Sequence, residues 1–374
     1  MGKKIGILTS GGDCPGLNAA IRAIVKSGKE KYEMSFIGFK NGFRGLIQNN
    51  FVELTTEMVS GILTQGGTIL GTSRDKPHKF QEKNKIVDKT EEAVKFYKKN
   101  KLDVLICIGG GGTQKNAFLL QKAGIDIVTL PKTIDNDIPF TDFSIGFDTA
   151  LGIATDSIDR LHSTAMSHDR IIVIEVMGHR AGWIALGAGV AGGADVILIP
   201  EIPYDIEKAA ETIIKRKKMG KKFSIIVVAE GAMSISQQKI VNDLVYLKEN
   251  SKTKEEKAKA KEKLVQFHKE HLSHTLVITK RLEELTKMES RLTILGHLQR
   301  GGTPSAYDRI IATKLGTAAT EFISQGKTGV MIGLKEKKAT AIPLKNVAGK
   351  TNLVPLNHSW LISAKEIGVF CGSD

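Results

Sequence analysis

The residues best suited to chemistry in this sequence sit in short runs between apolar segments. Pro131-Lys132-Thr133-Ile134-Asp135-Asn136-Asp137 follows the β-rich stretch Ile125–Leu130 and sets two carboxylates two positions apart. In an extended turn both can face one site, where one accepts a proton from a hydroxyl nucleophile and the other organises charge or a metal. An Asx-rich turn accounts equally for the aspartates and the asparagine, though not for the adjoining lysine and threonine. Ser10-Gly11-Gly12-Asp13-Cys14-Pro15-Gly16 and Gly109-Gly110-Gly111-Gly112-Thr113-Gln114 each join a strand-like to a helix-like segment. Glycines there let backbone approach phosphate oxygens, and a helix N-terminus adds N–H donors and partial positive charge. Strand–helix packing explains the first run as well, but it rarely requires four glycines in succession. Val176–Gly182 and Leu295–Gly302 bring His179, Arg180, His297 and Arg300 into glycine-containing loops, side chains of the kind that cradle a phosphate monoester. Together these runs point to phosphoryl transfer onto a small anionic compound that carries a hydroxyl.

The elements that must position them alternate. Lys4–Ser10 reads as a strand, followed by a helix holding Ala19, Ala20, Ile21, Ile24 and Val25. Leu102–Ile108, Ile125–Leu130, Ile171–Val176, Val196–Ile199 and Ser224–Ala229 read as buried strands. Between them lie helical patterns through Ala117, Leu119 and Leu120, through Leu151, Ala154, Ile158 and Leu161, and from Asp205 through Ile214. Buried parallel strands covered by helices produce this text, so the fold class is α/β. The string Gly187, Gly189, Gly192 has dinucleotide-fingerprint spacing but lies within a helical stretch that leads into a strand, and no Walker loop occurs. Asn250–His271 is rich in Lys and Glu, with Glu255, Lys259 and Glu262 at helical spacing, and reads as an exposed surface insertion.

Lys and Arg number 54 against 40 acids, a formal charge of +14 over 374 residues. That balance favours anionic partners, yet aromatics are only 6%, so the basic runs lack bases' stacking partners and nucleic acid is not expected. Clusters such as Lys98, Lys99 and Lys101, or Lys215, Lys217 and Lys218, read as solvated helix faces. No apolar run is long enough for a membrane helix. Cys14, Cys107 and Cys371 are far apart and without metal spacing, which fits a cytoplasmic, reducing compartment.

The sequence resembles the phosphofructokinase family through Leu8–Arg22, Gly66–Arg74, Gly109–Thr113, Pro131–Asp137, His168–Gly182, Glu230 and Leu295–Arg309. The resemblance implies two similar α/β domains of mainly parallel sheet flanked by helices. A phosphoryl-donor domain would take 1–147 and about 299–350, and a fructose 6-phosphate domain 148–298 and about 351–374, with a charged helical insertion near 240–285. It implies ATP and fructose 6-phosphate as substrates, Mg2+ as cofactor, and a homotetramer or homodimer with shared active sites. Asp135 would deprotonate the sugar's 1-hydroxyl, Thr133 support the transferring phosphoryl group, and Asp137 the metal or sugar. Met177, Gly178, His179 and Glu230 would hold the sugar. His297 and Arg300 would grip its 6-phosphate, joined by Arg170 and Arg291 of a neighbouring subunit. Gly12, Arg74, Gly110, Gly111, Gly112 and Thr113 would line the donor site.

Three positions depart from the family pattern. Gly111 stands where a metal-binding aspartate is usual, Lys132 matches pyrophosphate-using members, and Arg180 is displaced by one from the usual Met-Gly-Arg, where it would take the catalytic arginine's part. Transfer from pyrophosphate and a weakly active regulatory paralogue are the alternative readings; Gly112, with no side chain, leaves room for a nucleotide.

Overall fold

The computed structural model describes residues 2–83, 85–251, 253–270 and 274–373. They form two compact units, Met1–Ala150 with Arg300–Asn352, and Leu151–Gln299 with Leu353–Asp374. In the first unit the chain runs β1 (Lys4–Ser10), α1 (Leu17–Tyr32), β2 (Ser35–Phe39), α2 (Phe43–Gln48) and β3 (Phe51–Glu53), then a small hairpin of β4 (Phe80–Glu82) and β5 (Lys85–Val87). It continues through α3 (Thr90–Lys99), β6 (Val104–Gly109), α4 (Gly111–Lys122), β7 (Ile127–Pro131) and the start of α5 (Phe147–His168). The second unit holds β8 (Ile171–Val176), α6 (Trp183–Ala191), β9 (Val196–Leu198), α7 (Ile206–Lys218), β10 (Ser224–Ala229), α8 (Ile235–Glu249), α9 (Lys254–Glu270), α10 (His274–Thr286) and β11 (Ser290–Ile294). The chain then returns to the first unit with α11 (Ala306–Ser324), β12 (Val330–Lys335), β13 (Lys338–Pro343) and α12 (Leu344–Val347), and ends in the second with α13 (Ser359–Glu366).

The first unit's sheet has the order β13-β12-β7-β6-β1-β2-β3, parallel except for the two edge strands. From β1 the chain winds outward to β2, and from β6 outward to β7. The gap between β1 and β6 is therefore a switch point, where the two following segments diverge and leave a crevice. Ile5, Ile7, Leu105 and Ile106 are fully buried because helices cover both faces. The second unit carries a four-stranded, wholly parallel sheet, β11-β8-β10-β9. Among the described residues no helix is long and apolar enough to cross a membrane.

The alternation expected from sequence is present, with shifts at the edges. β6 and β7 begin two residues later than their apolar runs, since Leu102 and Ile125 are buried in the approach to the sheet. The four glycines are not a loop: Gly111 and Gly112 already form the first turn of α4. Within 240–285, α8 buries no residue and α9 exposes Glu255, Glu256, Glu262 and the lysines from Lys257 to Lys263, whereas α10 buries Ile278 and Leu282 in the second unit's core; His271 lies outside the described residues. Lys98, Lys99, Lys215, Lys217 and Lys218 are solvated, as their clustering suggests.

One buried carboxylate ties this frame together. Asp308, in the first turn of α11, is fully buried. It accepts hydrogen bonds from Gly146 N (2.8 Å), Thr149 N (2.8 Å) and Thr149 Oγ1 (2.5 Å). Burial pushes its pKa above the carboxylate range while those donors pull it back. Asp308→Asn keeps the volume but turns an amide toward an N–H donor, leaving that donor unsatisfied. The cost is roughly 1–3 kcal/mol, so the first unit's unfolding midpoint should fall by a few degrees. Calorimetry of the variant checks this, and an unchanged midpoint contradicts it.

Candidate active site

A cleft of about 310 Å³ opens in the first unit at the carboxyl ends of β1, β6 and β7. Its floor is the glycine turn after β1. Gly11 adopts φ +91°, open to glycine but strained for other residues; its N–H donates to Ser73 O (2.9 Å) and its carbonyl accepts from Thr72 Oγ1 (2.8 Å). Arg74, Asp75 and Lys76, just beyond, form one rim of the cleft. Arg44 forks onto Asp75 through Nε (2.8 Å) and Nη2 (3.2 Å), which fixes that rim.

The opposite wall is the start of α4, with Gly110, Gly112, Thr113 and Asn116 in the lining. A Cβ on Gly109 would lie 2.2 Å from Thr113 Oγ1 and 2.7 Å from Ser10 O, so glycine there lets β6 close onto β1. Thr113 Oγ1 donates to Ser10 O (3.3 Å) and seams the two glycine runs. Gly112 is exposed, and a Cβ on it would meet nothing within 4 Å. Gly111 is not part of the lining.

The third wall follows β7. Lys132 is 4% exposed, and its Nζ donates to the Gly12 carbonyl. Burial lowers its pKa, reinforced by the nearby Arg300 cation. Thr133, Ile134 and Asp135 complete this wall, with Asp135 N donating to Thr133 Oγ1 (3.1 Å). Between the paired aspartates Asn136 takes φ +49°, which breaks the strand-like alternation; Asp135 lines this cleft and Asp137 is not among its lining residues. Asn136 is itself fixed, accepting from Ser144 N (2.9 Å) through Oδ1. The two loops that flank the cleft rest on Ile145. Its N–H donates to Pro131 O (3.1 Å), its carbonyl accepts from Thr133 N (3.2 Å), and Cys14 Sγ donates to the same carbonyl (3.4 Å).

Arg300, expected beside His297, lines this first-unit cleft, and a Cβ on Gly12 would come within 2.8 Å of its Nη1. Sequence reasoning gave no site role to Asp13, Asp75, Lys76 or Asn116, all of which reach the cleft. Only Asn116 carries a signal, one helical turn beyond Thr113.

In the second unit Met177, Gly178 and His179 follow β8 and Glu230 follows β10, its paired neighbour. Gly178 adopts φ +137°, and a Cβ on Gly231 would strike the His179 carbonyl at 2.0 Å, so the two loops touch through bare backbone. Met177 N donates to Gln299 Oε1 (3.2 Å), a fully buried amide that sequence reasoning passed over. Glu201 fixes the other end of the loop, taking the Gly182 N–H on both carboxylate oxygens (3.0 and 3.1 Å). His179, Arg180 and His297 are solvent-exposed.

Arg170 and Arg291 lie elsewhere on this sheet, at the amino ends of β8 and β11. Met177 and Glu230 sit at the carboxyl ends, about 20 Å away along strands of this length.

Within the described residues no group of three His, Cys, Asp or Glu could hold a metal by itself. The cleft does offer the Asp13, Asp75 and Asp135 carboxylates. That suits a magnesium ion arriving with phosphate oxygens and waters, since magnesium is commonly bound through only one or two carboxylates.

Comparison with known proteins agrees with the cleft's chemistry. The chain is 51% identical to the ATP-dependent 6-phosphofructokinase of Propionibacterium freudenreichii, over the full length of both. It is 48% identical to the enzyme of the same name from Spirochaeta thermophila, covering 99% of this chain and 98% of that one. Among solved structures, phosphofructokinase of Pichia pastoris matches with TM-score 0.75 and 31% identity, over 93% of this chain and 35% of that chain. A pyrophosphate-dependent phosphofructokinase from Nitrosospira multiformis shares the fold at TM-score 0.78 and 21% identity, covering 100% of this chain and 93% of that one. Residues 4–323 match the Phosphofructokinase family, and the chain belongs to it.

Proposed function

We propose that the protein transfers the γ-phosphoryl group of ATP to the 1-hydroxyl of fructose 6-phosphate. The observation that carries this reading is the cleft. A carboxylate on the turn after β7 shares it with a glycine-lined helix start and the buried cation Lys132. Asp135 takes the hydroxyl proton as the sugar oxygen bonds to the γ-phosphorus. The bond from that phosphorus to the bridging oxygen breaks, and ADP leaves with the electron pair. Thr133 supports the transferring group, and Gly12, Arg74, Gly110, Gly112 and Thr113 receive the donor's phosphates. Lys132 and Arg300 add cations where charge gathers. Asp13 and the Asp135–Asp137 turn would hold a magnesium ion together with donor oxygens and water, and the ion would neutralise phosphate charge.

In the second unit Met177, Gly178, His179 and Glu230 are proposed to hold the sugar, His297 its 6-phosphate, and Arg180 to assist with charge. The placement of Arg170 and Arg291 at the far end of their strands supports their service to a neighbouring subunit, in an oligomer that shares its sites. Pyrophosphate as donor is the second reading: Lys132 matches pyrophosphate-using members, although a buried cation near the transferring group suits either donor. The open space at Gly112 and the names of the close relatives favour ATP. A coupled assay for fructose 1,6-bisphosphate with each donor in turn separates the two. Turnover with pyrophosphate alone contradicts the proposal.

Asp135→Asn should lower kcat by roughly 10²–10⁴ with little change in sugar binding; near-normal kcat would remove Asp135 as the base. Gly112→Asp should abolish ATP use without unfolding the chain. The position is open, and an acid in the first turn of a helix is favourable. Circular dichroism together with the two-donor assay tests both halves. Lys132 titrates below the ordinary lysine range, so its charge is lost as pH rises through that lowered value. kcat should therefore decline on the alkaline side earlier than an ordinary lysine would dictate. Lys132→Met should lose that limb along with roughly 10²–10³ of kcat. A limb that persists in the variant assigns it to another group.

A further inference from the structure

Glu289 stands immediately before β11 and Arg170 immediately before β8, the parallel strands that pair Arg291 with Ile172. The Glu289 backbone carbonyl accepts from Ile171 N (2.9 Å), so its position is set by the sheet. Its carboxylate divides between two arginines. Oε2 accepts from Arg170 Nε (2.7 Å), and Oε1 accepts from Arg291 Nη2. Arg291 Nη1 donates to the Ser290 carbonyl (3.2 Å), which fixes that guanidinium a second time. Among the described residues no other carboxylate pairs with either arginine.

Two guanidinium groups do not gather unaided, because like charges repel across a few ångströms. One carboxylate between them offsets that repulsion and leaves the trio with a net charge of +1. The bond to Arg170 uses its side nitrogen, Nε, so the terminal Nη1 and Nη2 edge is directed away from Glu289. That edge carries four N–H donors and can fork onto two oxygens of a phosphate. The Arg170 guanidinium holds the Glu289 carboxyl below its ordinary range, so the carboxylate is ionised at neutral pH.

We propose that Glu289 is a positioning residue, which assembles Arg170 and Arg291 into one preorganised receptor for the sugar phosphate bound by the neighbouring subunit. This rests on the phosphotransferase reading and on shared sites. Glu289 touches neither substrate. It acts through the arginines, so its effect falls on binding of the phosphorylated sugar and not on the chemical step.

The test compares the full-length wild type with Glu289→Gln. The expected result is a rise of about 10-fold in KM for fructose 6-phosphate. kcat and KM for ATP should stay within about twofold, and the oligomeric state by sedimentation should be unchanged. The effect must also act in trans. Glu289→Gln chains mixed with inactive Asp135→Asn chains should regain a near-native KM, because the intact Asp135 then meets an arginine pair built around an intact Glu289. Arg291→Ala mixed with Asp135→Asn serves as the control for shared sites. An unchanged KM overturns the proposal, as does a lowered one, which would make Glu289 a competitor for the phosphate. Failure of the mixture to restore KM while the control recovers activity overturns it too. Absence of turnover in the wild type with either donor overturns the phosphotransferase reading itself, and this role with it.

Discussion

A single buried carboxylate braces the cleft. Asp308 holds the backbone at Gly146 and Thr149, and those residues continue directly from Ile145. Ile145 in turn brackets Pro131 and Thr133 from both sides and takes the Cys14 thiol. The segment after β7 and the turn after β1 are thus aligned through one short stretch of chain, pinned from α11. A charge without solvent is expensive unless its lone pairs are filled, and here three donors fill them. The arrangement is rigid for that reason: any shift of the stretch would leave an ion stranded in the interior.

On that brace the sheet does the rest. Parallel strands all present carboxyl ends on one side, so the loops after β1, β6 and β7 converge without any special device. The switch between β1 and β6 keeps a crevice open among them. Lys132 is the element that costs most, a cation out of solvent whose Nζ donates to the Gly12 carbonyl, with the Arg300 cation nearby. The Asp13 and Asp135 carboxylates of the same cleft offset part of that cost.

Much of this was legible in the sequence. Apolar runs without polar interruption, as in Ile171–Val176, marked buried strands, and glycine clusters marked the turns beyond them. The four-glycine run, and the lysine and threonine beside Asp135, stood out because neither packing nor an Asx-rich turn alone accounts for them. What was hidden depends on distance in sequence. Nothing near Asp308 says that its partners lie some 160 positions earlier, and Gln299 gains its role only when it meets Met177 N. The extended turn expected over Asp135–Asp137 is interrupted at Asn136, which enters the left-handed region and redirects the chain. Ile278 and Leu282 were lost among the charges around them, although their spacing of four marks one buried face of α10.

The interleaved order of the two units also bears on how the protein is made. β7 is completed on one side by β6 but on the other only by β12, and α1 is covered by α11 through Ser27 with Thr320 and the close approach of Gly316 to Ala20. A ribosome that has finished β7 must add about 200 residues before β12 emerges, a wait of roughly 10–40 s. Throughout that interval the nascent first unit carries an unpaired, largely apolar strand edge and an uncovered helix face. Such an edge is a template for pairing with another chain. Its protection must come from the speed with which the second unit is traversed and from whatever holds nascent chains apart in the meantime.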